Sequence, residues 1–399
     1  MGGYVRVESS LSAELHTGLA TSGEQRPVSD LIDSLIPHNI KQLQPYKPGK
    51  PIEELQRELG INDVIRISSN ENPMGPSPRA VAAAAKVLAT TNTYPDGDCS
   101  TLRTALCDRF GVMPEELVFG SGSNELIDLV VRTFCRPGID EIITQKYSFI
   151  SYRLAAMAHN IAFMESEVTD TLGCDVDSLL AKVTDCTRLV FLANPNNPTG
   201  THVPRAEFER LLSGLPEHAI LVVDEAYHEF AIAAEEVDYP NSMHYQAEHP
   251  LLITLRTFSK IYGLAGLRIG YGISSPAIID YMNRIRRPFN VSSVAQAAAV
   301  AALDDSEHVE LSQKAAREGV AAIAEAITGL GFTTYPSIGN FVLVDVEQDP
   351  ATVYDRLLHR GVIARPMAPW GLPTHLRLSV GTPLQTKRAI SALIEVLSL

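Results

Sequence analysis

Beyond Asn72 the chain alternates short apolar or β-branched runs with stretches whose apolar residues recur at helical spacing. LVFG, EIIT, RLVFLA, AILVV, LLITL and RIGYGI read as strands, and their nearly continuous apolar character is that of strands covered on both faces. PRAVAAAAKVLAT, NELIDLVVRTFC and AEFERLLSG read as helices. Ser77 stands as the N-cap before Pro78, and Leu126, Leu129, Val130, Thr133 and Phe134 share one helical face. This alternation predicts an α/β fold with a mainly parallel sheet between layers of helices. From about residue 295 the pattern shifts to alanine-rich helices, then FVLVDV, a helix ending at Gly361, LRLSV and a final helix. That succession predicts a smaller α+β domain sharing its core with the segment before residue 70. Residues 1–34 are polar and weakly periodic and read as a flexible extension; 35–51, LIPHNIKQLQPYKPGKP, reads as an extended arm of the kind that crosses to a neighbouring subunit. The expected division is therefore 1–34, an arm and part of the small domain at 35–68, a large domain at 69–295, and the rest of the small domain at 296–399.

Composition narrows the function. A net charge of −14 argues against general nucleic-acid or anionic-membrane binding, although a few local arginines could still hold an anionic small substrate. Five cysteines, in no Cys-x-x-Cys or Cys/His spacing, suggest neither a disulfide framework nor a metal site, and fit thiols in a reducing cytoplasm. The first 30 residues lack a continuous apolar region and carry Glu8, Glu14 and Glu24, so no secretory signal is expected. No apolar run of about 18 residues suggests a membrane span.

Candidate chemistry gathers after the strands, where open α/β sheets bind ligands. SGSNE follows LVFG and opens a helix; free N–H groups and the helix dipole there suit a phosphate, and a plain N-cap role for Ser123 or Asn124 competes with that reading. Asn197 lies in the NPNNPTG turn, Asp224 directly follows AILVV with Tyr227 three residues on, and Lys260 closes LLITLRTFSK, followed by Arg268. Singly, Asp224 reads as a cap or loop charge and Lys260 as a surface lysine. Together, an amine nucleophile, an acid, an amide, a phenol and a hydroxyl/arginine anion clamp meet the needs of pyridoxal phosphate.

With NPNNPTG, VVDEAY and TFSKIYGLAGLRIGYG, the chain resembles the fold-type I pyridoxal-phosphate aminotransferases. With PYKPGKPIEEL, SSNENPMGPSP, TYPDG, GNFVLV and RPMAPWGLPTHLRLSVGTP, it resembles their histidinol-phosphate aminotransferase branch. The resemblance runs from about Leu35 to the C-terminus. It implies a large domain with a seven-stranded, mainly parallel sheet plus a smaller α+β domain, in a homodimeric, cytoplasmic enzyme of histidine biosynthesis. It further implies Lys260 as the Schiff-base and proton-shuttling lysine, Asp224 facing the ring nitrogen, and Asn197 and Tyr227 on the ring oxygen. Ser123, Asn124, Thr257, Ser259 and Arg268 fall on the phosphate, Phe149 (with Tyr147 as second choice) on the ring face, and Tyr94 on the partner's cofactor phosphate. Arg377 matches the substrate-carboxylate arginine; Tyr46, Arg365 and Asn340 match the rest of the substrate cleft. Ser292 stands where asparagine is expected, and Trp370 where a glycine–tyrosine pair is common. Three other readings remain: an aromatic amino-acid aminotransferase, a decarboxylase of a phosphorylated amino acid, and a non-catalytic regulator. The short, acidic N-terminus and the presence of Lys260 and Asp224 disfavour the last.

Overall fold

The computed structural model describes residues 28–45 and 49–398. The chain divides into two compact units, residues 1–42 and 43–399. In the first, Val28–Leu35 and His38–Lys41 are short helices, where the sequence suggests a loose extension and an extended arm. Val28, Leu31, Ile32 and Leu35 recur at helical spacing, but two turns are too few for the period to stand out. The remainder of the extension, 1–27, lies outside the described residues.

The second unit contains thirteen strands among its described residues: β1 (Ile65–Arg66), β2 (Leu117–Gly120), β3 (Glu141–Gln145), β4 (Ala162–Ser166), β5 (Thr187–Ala193), β6 (Ile220–Asp224), β7 (Leu252–Thr257), β8 (Gly270–Ile273), β9 (Thr333–Thr334), β10 (Phe341–Asp345), β11 (Val362–Ile363), β12 (Arg365–Pro366) and β13 (His375–Ser379). Seven of them form one sheet in the order β2-β8-β7-β6-β5-β3-β4. Pairing is parallel from β7 through β4, and β8 alone runs against the rest. The sequence reading of RIGYGI as one more strand did not show that reversal. Nor did it find β4, whose AFMES pattern of half-buried and exposed positions is that of an edge strand. Strand β5 shows why the sheet is buried on both sides: Leu189, Phe191 and Ala193 join one apolar cluster, and Val190 and Leu192 another.

A four-stranded antiparallel sheet, β12-β13-β10-β9, shares a core with the helices Ser306–Thr328, Pro350–Leu358 and Pro383–Leu397. β1 pairs with β11, and Ile65 and Ile67 enter the same core, so the chain before residue 70 is built into this sheet's surroundings. Helix starts follow the caps legible in the sequence: Ser77 Oγ accepts from the N–H groups of Arg79 and Ala80. Ser292, the departure from asparagine, caps Ser293–Leu303 by accepting from the Ala295 N–H at 3.2 Å.

Candidate active site

The carboxyl ends of β5, β6 and β7 border a cavity of about 280 Å³, joined by the loop after β3 and the residues before β8. Because β8 is antiparallel, its amino end lies on that same edge, with Thr257 opposite Gly270; Arg268 is thereby delivered beside the end of β7. Strand alternation then sorts the neighbours. Asp224 turns into the cavity, while the next residue, Glu225, is fully buried behind it in an ion pair with Arg256, at 2.9 and 2.7 Å.

Asp224 Oδ2 accepts from the Tyr152 hydroxyl at 2.9 Å, whereas buried Oδ1 has no protein partner. Burial pushes this carboxyl up to about 6, opposed by the Tyr152 and Ala226 hydrogen bonds and by Lys260. Lys260 Nζ rests 3.3 Å from the carbonyl oxygens of Ser69 and Asn70. Desolvation, with Arg377 and Arg268 nearby, pulls its amine down to about 8, so a sizeable neutral, nucleophilic fraction exists near neutral pH. Tyr227 lies under that amine, 5.5 Å from Nζ to the ring centre, and its hydroxyl accepts from Asn70 Nδ2 at 2.9 Å.

Ser123, the first residue of the helix Ser123–Phe134, and Asn124 also line the cavity. Thr257 Oγ1, Ser259 Oγ and the Arg268 guanidinium form a chain of contacts at 3.0 and 3.4 Å. A helix N-terminus facing a guanidinium and hydroxyls is an anion site. It depends on Gly122: with φ at +77°, a Cβ there would come within 2.3 Å of Arg268 Nη2. The arrangement offers an amine nucleophile, a buried acid with one open oxygen, and a phosphate cradle within a single cavity.

Residues 62–393 match the profile of the family described as aminotransferase class I and II. The chain belongs to that family. It is 45% identical to "Histidinol-phosphate aminotransferase 1" of Nitrosococcus oceani over 90% of this chain and 95% of that relative. It is 44% identical to the histidinol-phosphate aminotransferase of an Anaeromyxobacter species, over 91% and 99%. Among solved structures, the histidinol-phosphate aminotransferase of Sinorhizobium meliloti in complex with pyridoxal-5′-phosphate superposes with a TM-score of 0.82 at 30% identity, covering 92% of this chain and 98% of that one.

In this aminotransferase the cavity lining includes Ser123, Asn124, Phe149, Asn197, Asp224, Tyr227, Thr257, Ser259, Lys260 and Arg268. Tyr147 instead lines a neighbouring cavity of about 300 Å³ together with Trp370, and Phe149 borders both. Arg377 stands behind the lining, donating to Asn197 Oδ1 at 2.5 Å and to the Ser68 carbonyl at 2.6 Å. Asn340 is likewise buried, donating to the Asn70 and Glu71 carbonyls at 3.3 and 3.1 Å. Arg365 pairs in register with Arg377 and lies 5.2 Å over the Trp370 ring. Tyr94 is 82% exposed, stacked on Phe289 and away from this chain's own cavity lining. Tyr46 lies outside the described residues. The residue reading missed Tyr152 and Asn70. Tyr152 lies in KYSFISY, where three aromatics compete for one stacking position, and Asn70 lies in SSNENP, whose residue types alone point to no partner.

Proposed function

We propose that the chain catalyses the pyridoxal-phosphate-dependent exchange of L-histidinol phosphate and 2-oxoglutarate with imidazole-acetol phosphate and L-glutamate, in the cytoplasm. The observation that carries the cofactor is the pairing of Asp224's open, buried Oδ1 with the softened Lys260 amine in one cavity that ends in a phosphate cradle. The donor set fits the group: Lys260 for the aldehyde, Asp224 for the ring nitrogen, and Asn197 and Tyr227 for the ring oxygen. Phe149 covers a ring face, and Ser123, Asn124, Thr257, Ser259 and Arg268 hold the phosphate. When bound, pyridoxal phosphate supplies an electron sink for the pair left when the substrate Cα proton departs. Ionised Asp224 keeps the ring nitrogen protonated, because an opposed negative charge favours the charged form. Lys260 Nζ takes the proton from substrate Cα and returns it on the far side of the transfer. Arg377 turns its guanidinium from Asn197 and Ser68 to the substrate's anionic group, a two-point grip that orients Cα.

The named substrate rests on the similarity to histidinol-phosphate aminotransferases over about nine-tenths of the chain. Arg365, Asn340 and Tyr46 are the residues assigned to recognising its phosphate end. The enzyme works as a homodimer in which Tyr94 reaches the partner's cofactor phosphate; its exposure here supports that reading. The large domain spans 69–295, and the small domain combines 35–68 with 296–399. The test is an amino-donor and acceptor screen that follows cofactor absorbance in the purified holoenzyme. Histidinol phosphate and glutamate should each convert the bound cofactor to its amine form. Conversion by phenylalanine or tyrosine but not by histidinol phosphate overturns the substrate, and carbon dioxide release without a 2-oxo acid overturns the reaction class.

A further inference from the structure

We propose that Asn70 is a positioning residue that sets the direction in which Tyr227 donates its hydroxyl hydrogen. The inference rests on the reading that a cofactor ring oxygen lies beside Tyr227. Three buried residues form a directed chain of hydrogen bonds. Ser379 Oγ, at the end of β13, donates to Asn70 Oδ1 at 2.7 Å and accepts from the Asn70 backbone N–H at 2.8 Å; Asn70 Nδ2 then donates to Tyr227 Oη at 2.9 Å. Their exposures of 3%, 1% and 2% leave solvent no part in choosing the direction.

The direction follows from counting donors. With the Asn70 amide reversed, Ser379 Oγ would meet two N–H donors and lose its own acceptor, and the Tyr227 hydrogen would be drawn to Asn70 Oδ1. In the observed direction Ser379 and Asn70 are satisfied and Tyr227 receives a bond. Its hydroxyl hydrogen then has no acceptor among the described residues, and Tyr227 lines the cavity. That hydrogen is held in reserve for an acceptor in the cavity. The same residue holds the catalytic amine, since the Asn70 carbonyl accepts from Lys260 Nζ at 3.3 Å. Asn70 adopts φ +53°, a left-handed conformation that asparagine and aspartate tolerate better than most residues. Asn70→Asp therefore reverses the polarity of one bond while respecting the backbone.

A hydrogen bond donated to the ring oxygen stabilises negative charge there, so losing it raises the pH midpoint of the bound cofactor's visible absorbance. Wild type, Asn70→Asp, Tyr227→Phe and the double variant are titrated as holoenzymes with pyridoxal phosphate. Expected is a rise of about one pH unit in each single variant, the scale of one hydrogen bond to a charged group, and no further rise in the double variant. A rise on Asn70→Asp that persists undiminished in the Tyr227→Phe background overturns the proposal, because the new carboxylate then acts by its charge alone. An unchanged midpoint in Asn70→Asp overturns it too. Should Asn70→Asp fail to fold, Ser379→Ala decides, since it frees the amide to reverse: a smaller rise, absent in the Tyr227→Phe background, is expected. No absorbance band in wild type would instead defeat the cofactor reading beneath it.

Discussion

Lys260 and Asp224 occupy one cavity but are moved in opposite senses from the usual ranges of their groups, and the same burial explains both. Desolvation disfavours a charge of either sign, so it pulls the ammonium down to about 8 and pushes the carboxyl up to about 6. The consequence is a pH dependence of cofactor capture. Below 8 most of Lys260 is protonated and non-nucleophilic, so the capture rate in cofactor-stripped protein should rise about tenfold per pH unit up to that point and level off above it. Stopped-flow absorbance after mixing with pyridoxal phosphate measures this; a flat profile between pH 6 and 8 would contradict the lowered amine. Lys260, Asp224 and Asn197 were legible in the sequence because each follows an apolar strand in a motif of its own. Tyr152 was not, because nothing in YSFISY says which ring meets the Asp224 carboxylate and which meets a cofactor. Its hydroxyl is identified only by the fold, which brings it 2.9 Å from Asp224 Oδ2.

At the level of elements, the site depends on where β6, β7 and β8 end. Glu225, the first residue after β6, and Arg256, on β7 beside Thr257, sit behind the cavity with side chains 0% and 1% exposed. Removing one partner strands a buried charge, so Arg256→Met should destabilise the fold by about 3–5 kcal/mol, readable in chemical denaturation. The cradle has its own weak point in the turn between β2 and the helix that follows. Gly122→Ala combines a strained φ with a clash against Arg268, and should weaken phosphate binding about tenfold or more while leaving the helix content by circular dichroism unchanged. The apolar period announced β2, β3, β5, β6 and β7 to within a residue or two. It missed β4, because an edge strand exposed on one face carries a weaker pattern. It could not reveal that β8 runs backwards, since a strand's composition is the same in either direction.

For the whole molecule, the proposed dimer makes a distinct prediction through Tyr94. If this ring serves the partner's site, Tyr94→Ala and Lys260→Ala proteins, each nearly inactive alone, should regain activity when unfolded and refolded together. In the mixed dimer one site then combines an intact lysine with an intact tyrosine. No regain, with dimers present by sedimentation, would place Tyr94 outside the partner's site. Local chemistry sufficed for the α/β class and for placing the motifs, that of Lys260 among them, at strand ends around one cavity, because strand periodicity and motif spacing are properties of contiguous residues. The assembly of the site did not follow from it. Arg377 reaches Asn197 across 180 positions, Asn70 meets Ser379 across 309, and Arg268 joins Ser259 only because β8 turns back along β7. Such meetings depend on strand order, direction and the packing of buried polar groups, where each donor must find its acceptor in three dimensions.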